Sequence, residues 1–364
     1  AQKLPPTQCT PLSDIITKHD VAQALKSSWN GTATSLNGLP YELWKCLEEH
    51  HHTTKKTQLK CPSFNVTAAL TAVFQDIQTH GLSPGSSFSQ GWMCLIYKKN
   101  DKSDIANYCP INLFNTDYKL FTKTLTTQLA SSIHVMVHDD QTMILFFEAM
   151  EVDGVIIALD QEKAYNKVEH DYLWKTLTTY NLPDWFIVTV CSLYEHAKMK
   201  VAVNGHFSNP YCVTCSICQG DPLSCLLFDL AIEPLACMLW ASPHLTGFHI
   251  PGTMKKVLVC LFADDMVLYL SAGDRYDHVL KILNSWCAAS GAKFNINKTE
   301  VILMGSVAHH DRICMTQKLH PDNMTTLSNG KRITGDRDLI QYLGTYIGID
   351  IDGDVPWLPL LDKL

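Results

Sequence analysis

A chain of 364 residues with 46% hydrophobic and 18% charged side chains can bury a core larger than one average domain needs, which excludes a disordered or low-complexity segment. A net charge of −7 sits poorly with a protein that coats nucleic acid through overall basic charge, although it leaves room for a local basic groove. Fourteen scattered cysteines, no secretory h-region and no membrane-length apolar run point to free thiols in a reducing, intracellular compartment, with no disulfide-linked partner and no membrane.

Residues 1–18 read as a loose lead-in with Pro5, Pro6 and Pro11, and an opening on Ala1 in place of Met suggests a piece of a longer protein. Val21, Leu25 and Trp29 begin a helical pattern, and Pro40 to Leu47 forms a second helix. His50, His51 and His52 with Lys55 and Lys56 are either a metal or phosphate contact or an exposed polar loop. Adjacent histidines lack the i, i+4 spacing that points two ligands together, which favours the loop. Leu70, Val73 and Phe74 predict a helix over 66–77. Met93 to Tyr97 reads as a strand running into Lys98, Lys99 and Lys102, a basic cluster that is a phosphate contact or a solvated turn. An amphipathic helix over 117–129 follows.

Val155 to Leu159 is an apolar strand ending in Asp160, and a helix after it carries Tyr165 and continues through Val168, Tyr172, Leu173 and Leu177. Lys198 to Val213 reads as a hairpin about Asn204-Gly205. Cys212, Cys215 and Cys218 have the spacing of a zinc or iron–sulfur knuckle. No fourth ligand follows and a strand would splay them, so coincidence is the preferred reading. At Gln219-Gly220-Asp221-Pro222, Asp221 suits an N-cap and Pro222 the first helical position, with Leu223, Leu226, Leu227 and Leu230 on one face; Gly220 leaves backbone open to close approach. Two apolar runs between Leu261 and Leu270 meet at Asp264-Asp265, the length of a tight hairpin. That pair is either an ordinary Asp-rich turn or, because like charges need a cation between them, a divalent-metal site. Val279, Ile282, Leu283 and Trp286 predict a helix over 276–289. Side by side at strand ends, Asp160, Asp264 and Asp265 could hold two hard cations, the chemistry of in-line nucleotidyl transfer.

Eight blocks in order carry a family resemblance: Leu-Pro-Tyr-Glu-Leu-Trp-Lys (39–45), Leu-Ile-Tyr-Lys-Lys-Asn-Asp (95–101), Asn-Tyr-Cys-Pro-Ile (107–111), Leu-Asp-Gln-Glu-Lys-Ala-Tyr (159–165), Gln-Gly-Asp-Pro-Leu-Ser (219–224), Phe-Ala-Asp-Asp (262–265), Ser-Gly-Ala-Lys-Phe-Asn-Ile-Asn-Lys (290–298) and Tyr-Leu-Gly (342–344). With them the chain resembles the reverse transcriptases of non-LTR (LINE-type) retrotransposons, close to fungal examples. The resemblance implies an α+β right-hand polymerase core, with an antiparallel palm sheet flanked by helices and the thumb mostly absent. Its expected divisions are lead-in helices over 1–60, fingers over 61–150, palm over 151–310, and the palm end and start of the thumb over 311–364.

The activity implied is RNA-directed DNA polymerase, a nucleotidyltransferase that joins deoxynucleotides to a DNA primer on an RNA template with two Mg²⁺ ions, Mn²⁺ being the substitute. Asp160, Asp264 and Asp265 would be the catalytic metal ligands. Lys298 matches a lysine that protonates departing pyrophosphate, against the simpler reading of a surface lysine. Lys98 matches the lysine that meets the triphosphate, Tyr165 the ring that excludes a 2′-hydroxyl or else a core tyrosine, and Gln219 and Gly220 the contacts to template and nucleotide. Tyr342-Leu343-Gly344 resembles the primer-grip hairpin. Cys109, Cys215 and Cys218 stand where the family has arginine, and the stretch from His138 to Asp153 is shorter than the family's supporting helix. These departures make a partly degenerate copy, at most binding nucleic acid passively, the alternative to an active enzyme.

Overall fold

The computed structural model describes residues 15–57, 63–98, 101–133, 152–203, 205–249, 256–262, 265–295, 298–327, 332–334, 340–342 and 345–347. Its helices and strands in chain order are α1 (Lys18–Lys26), α2 (Tyr41–Lys56), α3 (Val66–His80), β1 (Gln90–Tyr97), β2 (Tyr108–Phe114), α4 (Thr116–Ile133), β3 (Gly154–Asp160), α5 (Ala164–Lys167), α6 (His170–Thr179), α7 (Asp184–Glu195), β4 (Lys198–Val203), β5 (His206–Phe207), β6 (Tyr211–Cys212) and α8 (Ser224–Trp240). After them come β7 (Phe248–His249), β8 (Lys256–Val257), β9 (Val259–Phe262), β10 (Asp265–Ser271), α9 (Tyr276–Ser290), β11 (Glu300–Met304), α10 (Val307–Thr316), β12 (Arg332–Thr334), β13 (Ile340–Tyr342) and β14 (Thr345–Ile347). The fold is α+β, as the sequence predicts. It divides into two units, Ala1–Val137 with Val168–Ala231 and His138–Lys167 with Ile232–Leu364.

In the first unit, helix ends follow local chemistry. Thr17 and Asp20 form a reciprocal capping box at the start of α1, and Asn65 accepts the Ala68 N–H to start α3. Phe74 of α3 meets Phe121 of α4 with ring centroids 5.0 Å apart, and Leu125, Phe186 and Val190 are buried with them. The sheet runs in the order β2-β1-β4-β5 with β6 also on β4; β1 is antiparallel to β2 and parallel to β4. Val203 pairs with His206, so the predicted hairpin forms, with Asn204 itself outside the described residues.

The second unit is organised on the sheet β12-β11-β3-β10-β9, with β3 between two antiparallel neighbours. One face carries Ile156, Val267, Tyr269, Cys260, Ile302 and Met304 in one apolar cluster with Phe248 and Val257. Val155, Ile157, Leu159, Leu268 and Val301 are buried on the other face. A strand covered on both sides must be apolar at successive positions, which is why 155–159 reads as an unbroken run rather than an alternation. β13 and β14 pair as the predicted hairpin, with Leu343 and Gly344 outside the described residues.

Three predicted elements need correction. Helix α2 runs on to Lys56, so the three histidines are helical and not a loop; His52 Nε2 lies 3.0 Å from Glu48 Oε1 one turn back, an i, i+4 pair. The helix predicted through Val168 is broken, because the Val168 carbonyl accepts the Ser216 N–H and Glu169, which bridges to Cys215, becomes the N-cap of α6. Helix α8 starts at Ser224, not at Asp221-Pro222. Asp221 Oδ1 accepts the Leu223 N–H at 3.1 Å and its carbonyl accepts the Ser224 N–H, closing a turn ahead of the helix.

Candidate functional site

Antiparallel pairing of β3 and β10 sets Asp265 directly opposite Asp160 at the open ends of the two strands. The apolar runs fix this register: a slip by one residue would turn every buried side chain of β10 to the wrong face. Asp265 also pairs with Phe262 on β9, so only Ala263 and Asp264 separate the strands, as the sequence predicts; those two residues lie outside the described ones. Asp265 is exposed and the Asp160 side chain is 35% exposed, so both carboxylates reach solvent at the end of an apolar slab.

A second strand-like contact brings a cation to the pair. The Asn295 N–H donates to the Asp160 carbonyl at 2.7 Å, Gln161 bridges antiparallel to Phe294, and the Glu162 N–H donates to the Lys293 carbonyl at 2.8 Å. The Lys298 N–H donates back to the Asn295 carbonyl, and Lys298 Nζ comes to 3.6 Å from Asp160 Oδ2. Residues 160–162 and 293–295, far apart in sequence, are thereby tied through backbone at and just after the Asp160 carboxylate. Tyr165, half-buried, lies in α5 five residues beyond Asp160.

Gln161 itself is 6% exposed, and among the described residues neither Oε1 nor Nε2 of its side chain has a hydrogen-bond partner. Nothing in the sequence marks this residue, because its polarity alone reads as part of a surface helix.

The remaining predicted residues belong to the first unit. Lys98 is exposed just past β1, its N–H donating to the Asn107 carbonyl at 3.0 Å across the β1–β2 end. Gln219 and Gly220 lie along β2: the Asn112 N–H donates to the Gln219 carbonyl at 3.0 Å, and the Cys109 thiol lies 3.9 Å from Gln219 Oε1. Gly220 has φ +106°, and a Cβ there would run into the Asn112 carbonyl, so glycine is required by conformation and by space.

Beneath this turn Asp221 is 4% exposed, its Oδ2 3.1 Å from the Tyr118 hydroxyl that donates to it, and burial pushes its carboxyl up to about 6. The sequence marks Asp221 only as a helix cap and gives no sign of Tyr118 as its partner 103 positions away. Cys218 is also buried, with its thiol pushed up by burial, whereas Cys212 is exposed on β6 and Cys215 lies on the bridge to Glu169. Among the described residues no group of three His, Cys, Asp or Glu side chains is arranged to hold a metal ion.

The family described as reverse transcriptase (RNA-dependent DNA polymerase) matches residues 96–347, a span that contains Lys98, Tyr165, Gln219, Gly220, Lys298 and all three aspartates. Curated relatives are retroelement proteins. The "Transposon TX1 uncharacterized 149 kDa protein" of Xenopus laevis is 25% identical over 355 residues, covering 92% of this chain and 24% of that protein. The Pol polyprotein from type-1 retrotransposable element R2 of Nasonia vitripennis is 24% identical over 319 residues, 80% of this chain and 30% of its own length. The R2 protein of Popillia japonica is 22% identical over 278 residues, 70% of this chain and 37% of its own. The chain thus spans well under half of the curated relatives it matches. Among solved structures, the apo telomerase of Candida Tropicalis, truncated from its C-terminal domain, aligns with a TM-score of 0.46 and 13% identity over 79% of this chain and 59% of that one.

Proposed function

Because the chain belongs to the reverse transcriptase (RNA-dependent DNA polymerase) family, with retroelement relatives of the non-LTR type, we propose that it joins deoxynucleotides to a DNA primer on an RNA template. The observation that carries the proposal is the register of β3 and β10, which sets Asp265 opposite Asp160 with the Lys298 ammonium 3.6 Å from the latter. Reverse transcriptases use divalent metal ions. An all-oxygen carboxylate set at the solvent end of two paired strands fits a hard cation, so Asp160, Asp265 and Asp264 are the proposed ligands of two Mg²⁺, with Mn²⁺ able to substitute. When bound, these ions would supply an activated primer 3′-hydroxyl and neutralise charge on the departing pyrophosphate.

The chain's own residues do the rest. Asp160 orients Lys298, whose 62%-exposed side chain can hand a proton to the leaving pyrophosphate. Lys98 meets the triphosphate, Tyr165 lies beneath the sugar and excludes a 2′-hydroxyl, and Gln219 and Gly220 contact template and nucleotide. Primer extension on poly(rA)/oligo(dT) with Mg²⁺ tests this. Asp160→Asn or Asp265→Asn should lower extension on the order of 10³-fold, and Lys298→Met roughly 10²- to 10⁴-fold, because a positioned proton donor is lost. Undiminished extension by Asp160→Asn would overturn the proposal.

A second reading, a polymerase fold that binds nucleic acid without catalysis, is favoured by the Cys109 thiol against Gln219 Oε1. A thiol cannot clamp phosphate as a guanidinium does. Cys109→Arg should lower the KM for deoxynucleotide by roughly ten- to a hundredfold, the worth of a charge-assisted hydrogen bond. If wild-type protein is inert and Cys109→Arg restores nothing, the passive reading stands.

A further inference from the structure

Gln219 and Gly220 sit inside a turn, from Cys218 to Asp221, that is fastened on both sides. The Asp221 N–H donates to the Cys218 carbonyl at 3.1 Å and closes the turn, with Gly220 within it at φ +106°. On the leading side the Asn112 N–H of β2 donates to the Gln219 carbonyl at 3.0 Å. On the trailing side the fastening is the Asp221 carboxyl itself. Its Oδ2 accepts from the Tyr118 hydroxyl of α4 and its Oδ1 from the Leu223 N–H, both at 3.1 Å. Tyr118 is well held in turn, since its ring is buried and stacks on Phe114 of β2 with centroids 4.6 Å apart.

The trailing fastening differs from the leading one in that it can take up a proton. Around the buried carboxyl stand the Thr122 hydroxyl and Lys119 ammonium of α4, the Tyr41 phenol of α2, the Tyr194 phenol of α7 and the Cys218 thiol. Of these neighbours only Lys119 is cationic, and burial outweighs it, which pushes the carboxyl up to about 6. Ionised, Asp221 draws its donors onto a charge, and such bonds are roughly twice as strong as neutral ones. The Leu223 N–H can only donate, so a proton added to the carboxyl goes to Oδ2, and a hydroxyl that donated there must turn round and accept. An Asn would stay in that weaker pattern at every pH, with no charge to desolvate. Folding alone therefore gives no reason for an acid at this position.

We propose that Asp221 is a positioning residue for the incoming deoxynucleotide: its ionised carboxyl pins the trailing side of the Gln219–Gly220 turn to α4, and taking up a proton loosens the turn's hold on that nucleotide. The proposal rests on the polymerase reading, and it makes nucleotide affinity depend on a buried group that acts only through the turn.

Two measurements on poly(rA)/oligo(dT), taken from about pH 5 to about pH 8, test this. One is KM and kcat for dTTP in primer extension with Mg²⁺; the other is the Kd of dTTP by titration calorimetry on the protein–duplex complex with Ca²⁺ in place of Mg²⁺. Against Asp221→Asn, wild type should bind dTTP equally well at the acid end and about 5-fold more tightly at the alkaline end, with KM following and the ratio of kcat values constant. Asp221→Asn should at the same time raise the urea midpoint at the alkaline end. Higher stability with weaker nucleotide binding is a pairing that a merely structural role does not give, because that role would move both the same way. Tyr118→Phe, which removes the donor and leaves the acid, should weaken dTTP binding by a similar factor at the alkaline end, and it carries the comparison should Asp221→Asn fail to fold by circular dichroism. Equal Kd values for wild type and both variants at every pH, or a change confined to kcat, would overturn the proposal. Wild type that extends primers while Asp221→Asn binds dTTP as tightly as it does refutes the positioning role alone. The pH-dependent difference in Kd, found in a protein that extends nothing, refutes catalysis alone, and wild type that neither extends nor binds dTTP refutes both.

Discussion

The two larger sheets of this protein solve opposite problems. The β12-β11-β3-β10-β9 sheet is buried on both faces at β3 and β10 and places charge only at the strand ends, where Asp160 and Asp265 face each other. The β2-β1-β4 sheet is enclosed less completely: Gly91, Asn112, Phe114 and Met199 are buried, but Ile96, Tyr97 and Val203 in the same strands are exposed. A site for in-line chemistry needs its carboxylates held to a fraction of an ångström, which a two-sided core provides and a partly open sheet does not.

The largest test of this contrast lies in the centre of β3. Ile157→Ala removes a side chain that is 1% exposed on a strand covered from both sides, and should cost about 2–5 kcal/mol by urea denaturation. A cost below about 1 kcal/mol would mean that the strand is less tightly enclosed than its burial indicates.

Next in size is Asp221, the buried acid of the first unit. Its counterpart in the second unit, Asp274, accepts four hydrogen bonds, from the N–H groups of Thr246, Gly247 and Ser271 and from the Thr246 hydroxyl. Asp221 is hydrogen-bonded by Thr122, Leu223 and Tyr118 with the Lys119 charge nearby, yet burial dominates, pushing its carboxyl up to about 6. A carboxyl raised on folding binds more protons in the native state, so stability falls as pH rises from about 4 to about 6 and stays lower above that. Asp221→Asn should therefore be more stable than wild type by roughly 2–3 kcal/mol near pH 7.5, with the gap closing toward pH 4. Parallel stability curves for the two proteins would show that the carboxylate is better compensated than its burial suggests.

Gln161 is the exception within the two-sided sheet. Its amide is buried next to Asp160 with neither polar atom paired among the described residues. Gln161→Leu should raise stability by about 1–2 kcal/mol, read from the urea midpoint, since no hydrogen bond is lost and an unmet desolvation cost is removed. Destabilisation would point to a polar partner for this amide.

What the sequence disclosed follows the same division. The strands around Asp160 and Asp265 were legible because burial on both faces writes an unbroken apolar run, and the hairpin length separating Phe262 from Asp265 was legible from the two residues between the runs. Family resemblance singled out Lys298, but its approach to Asp160 was not legible, since the Asn295 N–H on the Asp160 carbonyl is a backbone contact that leaves no mark on residue type. The Asn112 pairing with Gln219 and the Tyr118 hydroxyl on Asp221 were illegible for the same reason: each joins segments more than a hundred positions apart. The start of α8 was misread because an Asp before Pro caps a turn as readily as a helix.

The smallest expected effect is the sharpest counterpart to the first. Ile96 has the same side chain as Ile157 and is also within a strand, but it is 47% exposed on the open face of β1, paired with Cys109. Ile96→Ala removes little buried area and leaves no cavity, so its stability should stay within about 0.5 kcal/mol of wild type. The same substitution in two sheets thus separates burial from strand membership. If Ile96→Ala costs as much as Ile157→Ala, the face is covered in solution by something that packs against it. If it costs almost nothing, burial and not strand membership sets the cost of losing the same side chain.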